Sequence, residues 1–169
     1  ACPNCQNLIR NGLVPLVEAG LPGDQVQLAL LPWRTGELGA DGLYNPVPGD
    51  FTSMGHMCAL RSALPMPAPI DAPALFSAVQ FLACDLDHLI LPDQVRNEAS
   101  VSQCAAANGL DWSGPGGIKA CAEGGQQAEG AMLMRSPLYG GLVKAAEDAL
   151  VIESVTPFVI LNGMLLECH

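Results

Sequence analysis

Cys2 and Cys5 are the residues best placed to do chemistry, because they form a Cys-Pro-Asn-Cys pair at the start of a helical pattern. The first N–H groups of a helix lack partners within the helix and carry partial positive charge, so they stabilise a thiolate and lower its pKa. Pro3 suits this position, since its fixed φ matches the first helical turn and its missing N–H costs nothing there. The spacing therefore predicts Cys2 as the exposed nucleophile and Cys5, one turn on and facing inward, as the resolving thiol.

The same CxxC spacing also occurs in half of a zinc site and in short structural bridges. A zinc site needs two further ligands, yet the remaining cysteines are widely separated and the three histidines form no HxxxH pair. The sequence therefore favours a redox-active or structural dithiol over zinc, and it predicts no metal and no other cofactor.

Composition limits the classes of partner. The chain has 169 residues, enough for one domain over 1–169, and 17 acidic against 7 basic residues give it a net charge of -10. Such a surface repels phosphate backbones, which argues against nucleic acid as a partner. The apolar runs are shorter than the roughly 20 residues of a membrane helix, so we expect a protein that does not span a membrane.

Seven cysteines in a small acidic chain favour an oxidising lumenal compartment, since cytosolic thiols are kept reduced. The chain begins one residue before the CxxC pair and carries no targeting segment, which suggests a processed or incompletely represented polypeptide. Because the number of cysteines is odd, at least one thiol must remain free, pair with another chain or cycle, and Cys168 is the natural leftover.

The spacing of apolar residues and the positions of Gly, Pro and capping residues predict the helices and strands. A helix over Pro3–Ala19 should be interrupted at Pro15 and capped by Gly20, and Val26–Pro32 should be a buried strand. Residues 34–70, rich in Gly and Pro, should form a long loop in which His56 is solvated. A strong amphipathic helix should follow Asp71 and run to Leu89, with Cys84 within it.

Shorter helices are predicted over 95–107, 118–122, 126–135 and 142–150, with a break near Pro137 and Gly140-Gly141. Residues of about 71–150 thus form a helical insertion. Cys104 and Cys121 flank a Gly-rich turn between two of these helices, so they could meet at the disulfide distance of about 5.5 Å between Cα atoms, and this pairing is favoured. The end of the chain reads strand, Asn162-Gly163 turn, strand.

This order of parts is that of a thioredoxin fold, and more narrowly the chain resembles the gamma-interferon-inducible lysosomal thiol reductase family. The matching segments run from end to end: Cys2-Pro-Asn-Cys5 for the family's CPxC, Leu28-Ala-Leu-Leu-Pro32, Phe81-Leu-Ala-Cys84, Cys104-Ala105, Gly109-Leu110, Ile118-Lys-Ala-Cys121, and Thr156-Pro-Phe-Val-Ile-Leu-Asn-Gly163 for its V-P-W-V-x-x-N-G segment.

The resemblance implies an α/β, thioredoxin-like thiol reductase with a helical insertion, acting on protein disulfides. In it Cys2 would attack the substrate and Cys5 would resolve the mixed disulfide. Thr156 and Pro157 would correspond to the cis-proline segment of thioredoxins, which lies against the CxxC pair and binds substrate backbone.

The chain departs from the family in three places. The family's CQHGxxEC signature corresponds to residues 51–58 of this chain, where only Gly55 and Cys58 match it. The family's next cysteine has no counterpart before Cys84, so Cys58 is expected either to pair with Cys84 or to stay unpaired. The strand before the CxxC and the final helix are also missing from the sequence.

The missing strand could be absent from this sequence, could be supplied by a separate peptide, or could reflect a domain that folds differently from its relatives. The second explanation corresponds to a different class of protein: a non-catalytic accessory or scaffold subunit of a larger assembly, in which partner subunits complete the sheet and the CxxC pair is a structural bridge.

Overall fold

The computed structural model describes residues 3–20, 28, 30, 37–46, 51–63, 71–91, 96–124, 127–149, 159–161 and 164–166, and the account below concerns these residues. They are predominantly helical. The helices are α1 (Pro3–Asn7), a π-helical segment (Leu8–Leu13), α2 (Val14–Glu18), α3 (Phe51–Leu60), α4 (Ala72–Ile90), α5 (Glu98–Ala107), α6 (Ile118–Ala122), α7 (Glu129–Met134) and α8 (Pro137–Ala149). Two antiparallel strand pairs complete the list: β1 (Glu37–Leu38) with β2 (Tyr44–Asn45), and β3 (Val159–Leu161) with β4 (Met164–Leu166).

The N-terminal helical run is interrupted next to Pro15, as predicted. Proline has no N–H to donate, and its ring clashes with the carbonyl four residues earlier. The π-helical segment ends just before α2, where Pro15 lies in the first turn, so the wider π turn takes up the irregularity. Gly20 then ends the run with φ of 87°, the left-handed conformation that a helix C-cap favours.

Helix α4 is the element that the sequence predicted best. Asp71 caps it by accepting a hydrogen bond from the Ala74 N–H at 3.1 Å, and proline occupies the first turn. The periodic apolar positions Leu75, Val79 and Leu82 are buried. The helix contacts α1, the π-helical segment and α2 on the N-terminal side, and it also contacts α3 and α5.

Helix α3 corrects the prediction of a loop over residues 34–70. No proline lies between Pro48 and Pro65, so nothing in that stretch prevents a helix, and Met54, Met57 and Cys58 provide apolar side chains for the core. Every residue from Ser53 to Leu60 is buried, because α3 lies among α4, α6 and α7. The core therefore supplies the stabilisation that the local sequence signals do not.

Helix α8 begins earlier than predicted, at Pro137, and runs through Gly140 and Gly141. Pro137 is tolerated because it is the first helical residue. A Cβ atom on Gly140 would overlap the carbonyl oxygen of Gly42, so the glycine is what lets α8 approach the β1–β2 turn. The other predicted helices are confirmed: α6 has the predicted bounds, α5 begins three residues later than predicted, and α7 is shorter at both ends.

The two strands predicted for the C-terminal hairpin are confirmed. They are antiparallel, and Val159 pairs with Leu166, Ile160 with Leu165 and Leu161 with Met164. The predicted turn residues Asn162-Gly163 lie outside the described residues. So does most of the predicted strand Val26–Pro32, of which residues 28 and 30 are described and neither is in a strand. Among the described helices, none is both long enough and apolar enough to cross a membrane.

Candidate functional site

Cys5 lies near the start of the N-terminal helical run. Pro3 is the first residue of α1, and Cys5 lies half-buried within the first turn. The role predicted for Cys5 as a resolving thiol stays a prediction. Cys2, Thr156 and Pro157 lie outside the described residues, so their positions relative to Cys5 remain predictions.

A polar depression lies beside this run, between the π-helical segment and the end of α4. Asp87 is its central charge, since the side chains of Gln6 and Arg10 both donate hydrogen bonds to the carboxylate, with Arg10 Nε at 3.0 Å from Oδ1. The other residues lining it are Asn7, Asn11 and Leu91. These contacts fix the N-terminal run on α4, and within the depression the Asn11 side-chain amide donates to Asn7 Oδ1.

All four cysteines proposed as structural form disulfides, but the predicted pairing is wrong. Cys58 is bonded to Cys121, with 6.0 Å between Cα atoms, and Cys84 to Cys104, with 5.7 Å. The predicted Cys104–Cys121 bridge fails because the two helices face different neighbours: α5 packs on α4, whereas α6 packs on α3. The alternative partner considered for Cys58, Cys84, is taken by Cys104.

A buried polar cluster joins three parts of the chain around Asp85, whose side chain is fully enclosed. His56 Nε2 lies 2.9 Å from Asp85 Oδ2, and Arg96 donates to both carboxylate oxygens, at 2.8 Å from Nε and 3.2 Å from Nη2. Burial alone would raise the pKa of Asp85, but the hydrogen bonds and charges of His56 and Arg96 lower it below its ordinary value of 3.8. Asp85 is therefore a carboxylate held in place by its partners.

His56 was predicted to be solvated, and that prediction is wrong: it is 6% exposed and packs edge-on to Phe81. The arrangement has an imidazole oriented by a carboxylate, but both groups are enclosed in the core, so it stabilises the packing of α3 on α4. One feature of the sequence indicates the buried Asp85–His56–Arg96 cluster. Asp85 falls among the apolar positions of an amphipathic helix, where a charge requires a partner.

His88 lies beside the Cys84–Cys104 disulfide, at a place that the sequence analysis did not single out. A ring nitrogen of His88 and the two sulfur atoms all lie within 4.8 Å of one another. The Nδ1 atom of His88 is buried and has no hydrogen-bond partner among the described residues, which costs about 1–3 kcal/mol when uncompensated. Cys84-x-x-x-His88 is the i, i+4 spacing of one helix face, and this was the signal available in the sequence.

Comparison with known proteins gives no match: no protein-family model, curated protein or solved structure matches the chain. The arrangement of residues described above is therefore the basis on which a function is inferred.

Proposed function

We propose that the protein is a thiol–disulfide oxidoreductase of thioredoxin-like fold that reduces protein disulfides through Cys2 and Cys5. The observation that carries the proposal is the position of Cys5, half-buried in the first turn of a helical run that starts at Pro3 and packs on α4. In a CxxC pair at the start of a helix, the unpartnered N–H groups favour the thiolate of the first cysteine, and we propose this role for Cys2.

The reaction is thiol–disulfide exchange in two steps. The Cys2 thiolate attacks one sulfur of the substrate disulfide, forms a mixed disulfide and releases the other substrate sulfur as a thiolate. The Cys5 thiolate then attacks Cys2 Sγ, which forms the Cys2–Cys5 disulfide and releases the second substrate sulfur. The substrate gains two electrons and the CxxC pair loses them, so a second thiol reductant must return the pair to the dithiol.

Other features support the wider proposal. The β3–β4 hairpin follows Thr156-Pro157 in the chain, as in the fold whose substrate-binding proline precedes the last hairpin. Helices α4 to α8 fall within the region assigned to a helical insertion. Two disulfides within the core are compatible with an oxidising lumenal compartment, which we propose as the location.

A second candidate is a non-catalytic accessory subunit whose sheet is completed by partner chains. The observation that favours it is that the sheets in the described part of the chain have two strands each. In this role the CxxC pair would be a permanent bridge, covered in the assembly. The two candidates differ in whether Cys2 is a reactive thiolate.

The deciding experiment traps the mixed disulfide. A Cys5→Ser variant keeps the attacking thiol but removes the resolving one, so it should accumulate a covalent adduct with a disulfide-linked peptide, whereas Cys2→Ser should form none. Non-reducing mass spectrometry detects the adduct. Alkylation of the reduced protein between pH 4 and 8 should also give Cys2 an apparent pKa well below the usual value of about 8.5.

No adduct with Cys5→Ser, together with slow alkylation of Cys2, would exclude the reductase and leave the accessory subunit. An adduct formed equally by Cys2→Ser would assign the reactivity to another cysteine. In the second outcome, mapping the adduct peptide identifies the residue that carries the sulfur.

A further inference from the structure

Three side chains with metal-binding atoms converge where α4 meets α5. Cys84 and His88 lie one turn apart on α4, and Cys104 lies on α5 opposite them. Their ligand atoms all lie within 4.8 Å of one another. The cluster contains neither Cys2 nor Cys5, so an inference from it does not depend on the function proposed above.

The state of His88 points to a ligand. Buried imidazole nitrogens normally have a hydrogen-bond partner, yet Nδ1 of His88 is enclosed and meets no such partner in the described part of the chain. His88 thus has one unpartnered ring nitrogen, and one of its ring nitrogens lies within 4.8 Å of both cysteine sulfurs, so the residue offers a nitrogen donor beside two potential thiolates.

We propose that Cys84, His88 and Cys104 bind a zinc-type divalent ion when the disulfide between the two cysteines is reduced. A dithiol reductant supplies two electrons and is itself oxidised to a disulfide, while Cys84 and Cys104 become thiols. Metal binding then displaces one proton from each thiol, and the ion is held by two thiolates and one imidazole. In the oxidised state the sulfurs are bonded to each other and offer no thiolate, so the site is gated by redox state.

The helices need not separate to make this site. Two zinc–sulfur bonds of about 2.3 Å at a tetrahedral angle place the sulfurs about 3.8 Å apart. The Cα atoms of Cys84 and Cys104 are 5.7 Å apart, which leaves room for side-chain rotation alone to open that separation. Two thiolates and an imidazole form a donor set that selects zinc over magnesium or calcium, which prefer oxygen ligands.

Solvent approaches the cluster from the side of Cys84. This residue is half-buried, and it lines a depression together with polar side chains: Arg10, Asn11, Gln80, Asp87 and Asn108. We infer that water entering there completes a tetrahedral site. Cys84 is also where a reductant reaches a bridge first, because Cys58, Cys121 and Cys104 are only 3%, 2% and 1% exposed.

The test uses the full chain with Cys2→Ser and Cys5→Ser, so that the N-terminal pair cannot bind metal. A limiting amount of a phosphine opens one disulfide, peptide mapping verifies which one, and Co²⁺ is titrated as a spectroscopic probe. We expect one equivalent to bind with the thiolate charge-transfer and strong visible bands of tetrahedral cobalt, and the oxidised protein to show neither.

His88 is tested with two substitutions in that background. His88→Gln should weaken binding by about 100-fold, at the upper end of the 10–100-fold that losing even an outer-shell partner costs. His88→Cys supplies a third thiolate and should restore binding with stronger charge-transfer bands, a rescue that a purely structural role for His88 would not give.

The proposal is overturned if the reduced protein gives no tetrahedral cobalt spectrum, or if His88→Gln binds as tightly as the parent. It is also overturned if the reduced chain lacks the helical circular dichroism of the oxidised chain both with and without metal, since the site requires α4 and α5 to stay together.

Discussion

Removing the Cys58–Cys121 bridge should destabilise the protein more than removing Cys84–Cys104. The two bridges span 63 and 20 residues, and the loop-closure entropy that each removes from the unfolded chain corresponds to about 4.3 and 3.3 kcal/mol. Cys84–Cys104 lies within the loop that Cys58–Cys121 closes and shortens that loop from 63 to about 43 residues. The stabilisation expected from Cys58–Cys121 then falls to about 4.0 kcal/mol. That is a large share of the 5–15 kcal/mol by which domains are typically stable.

Burial widens the difference. Cys58, Cys121 and Cys104 are all enclosed, whereas Cys84 is half-buried, so alanine leaves two enclosed cavities at the first bridge and one at the second. We therefore expect Cys58→Ala/Cys121→Ala to lose at least about 4 kcal/mol, and Cys84→Ala/Cys104→Ala about 3 kcal/mol.

Urea unfolding followed by far-ultraviolet circular dichroism measures both variants against the oxidised parent. The slope with urea should rise in each variant, because the unfolded chain becomes less compact. The reasoning is refuted if the Cys84/Cys104 variant is the less stable of the two, or if non-reducing peptide mapping of the parent recovers Cys104 joined to Cys121.

Three further substitutions, one of them with a matched control at Gly141, test the packing by chemical or thermal unfolding. Gly140→Ala should cost about 1–3 kcal/mol, because its Cβ meets the Gly42 carbonyl, whereas its neighbour Gly141→Ala meets nothing and should gain up to about 1 kcal/mol; equal effects would contradict the contact. Asp85→Asn should cost about 2 kcal/mol near neutral pH by weakening the bonds to His56 and Arg96. Because folding lowers the pKa of Asp85 below 3.8, that stabilisation is lost as pH falls through the folded value, so parent and variant should converge in acid; parallel curves would contradict this. Asp71→Ala removes the α4 cap and should cost about 1 kcal/mol, and no change would mean that the cap is not formed.

The sequence predicted best where local rules decide the structure. Helix α4 has a capping Asp71, an early proline and apolar residues at helical spacing, and each of these signals acts within a few residues. The interruption at Pro15 and the strands on either side of Asn162-Gly163 are of the same kind. Helix α3 was missed because its stability comes from burial among three other helices, which no local signal records.

The candidate sites show the same division. The CxxC motif could be recognised because its two cysteines are three residues apart, but His56 and Asp85 are 29 residues apart and Cys58 and Cys121 are 63 apart. Pairings at such separations depend on which face each helix turns toward its neighbour. Cys104 on α5 faces α4, whereas Cys121 on α6 faces α3. The apolar periodicity within either helix does not determine which neighbour it packs against.

When the Cys84–Cys104 bridge is reduced, other contacts still hold α5 in place. Cys84–Cys104 joins α4 to α5, and Arg96, two residues before α5, is also tied to α4 through both oxygens of Asp85. Glu98, the first residue of α5, forms an ion pair with Lys119 of α6. Reduction of this bridge therefore leaves the start of α5 fixed to α4 and α6, which is the condition that a redox-gated site between α4 and α5 requires.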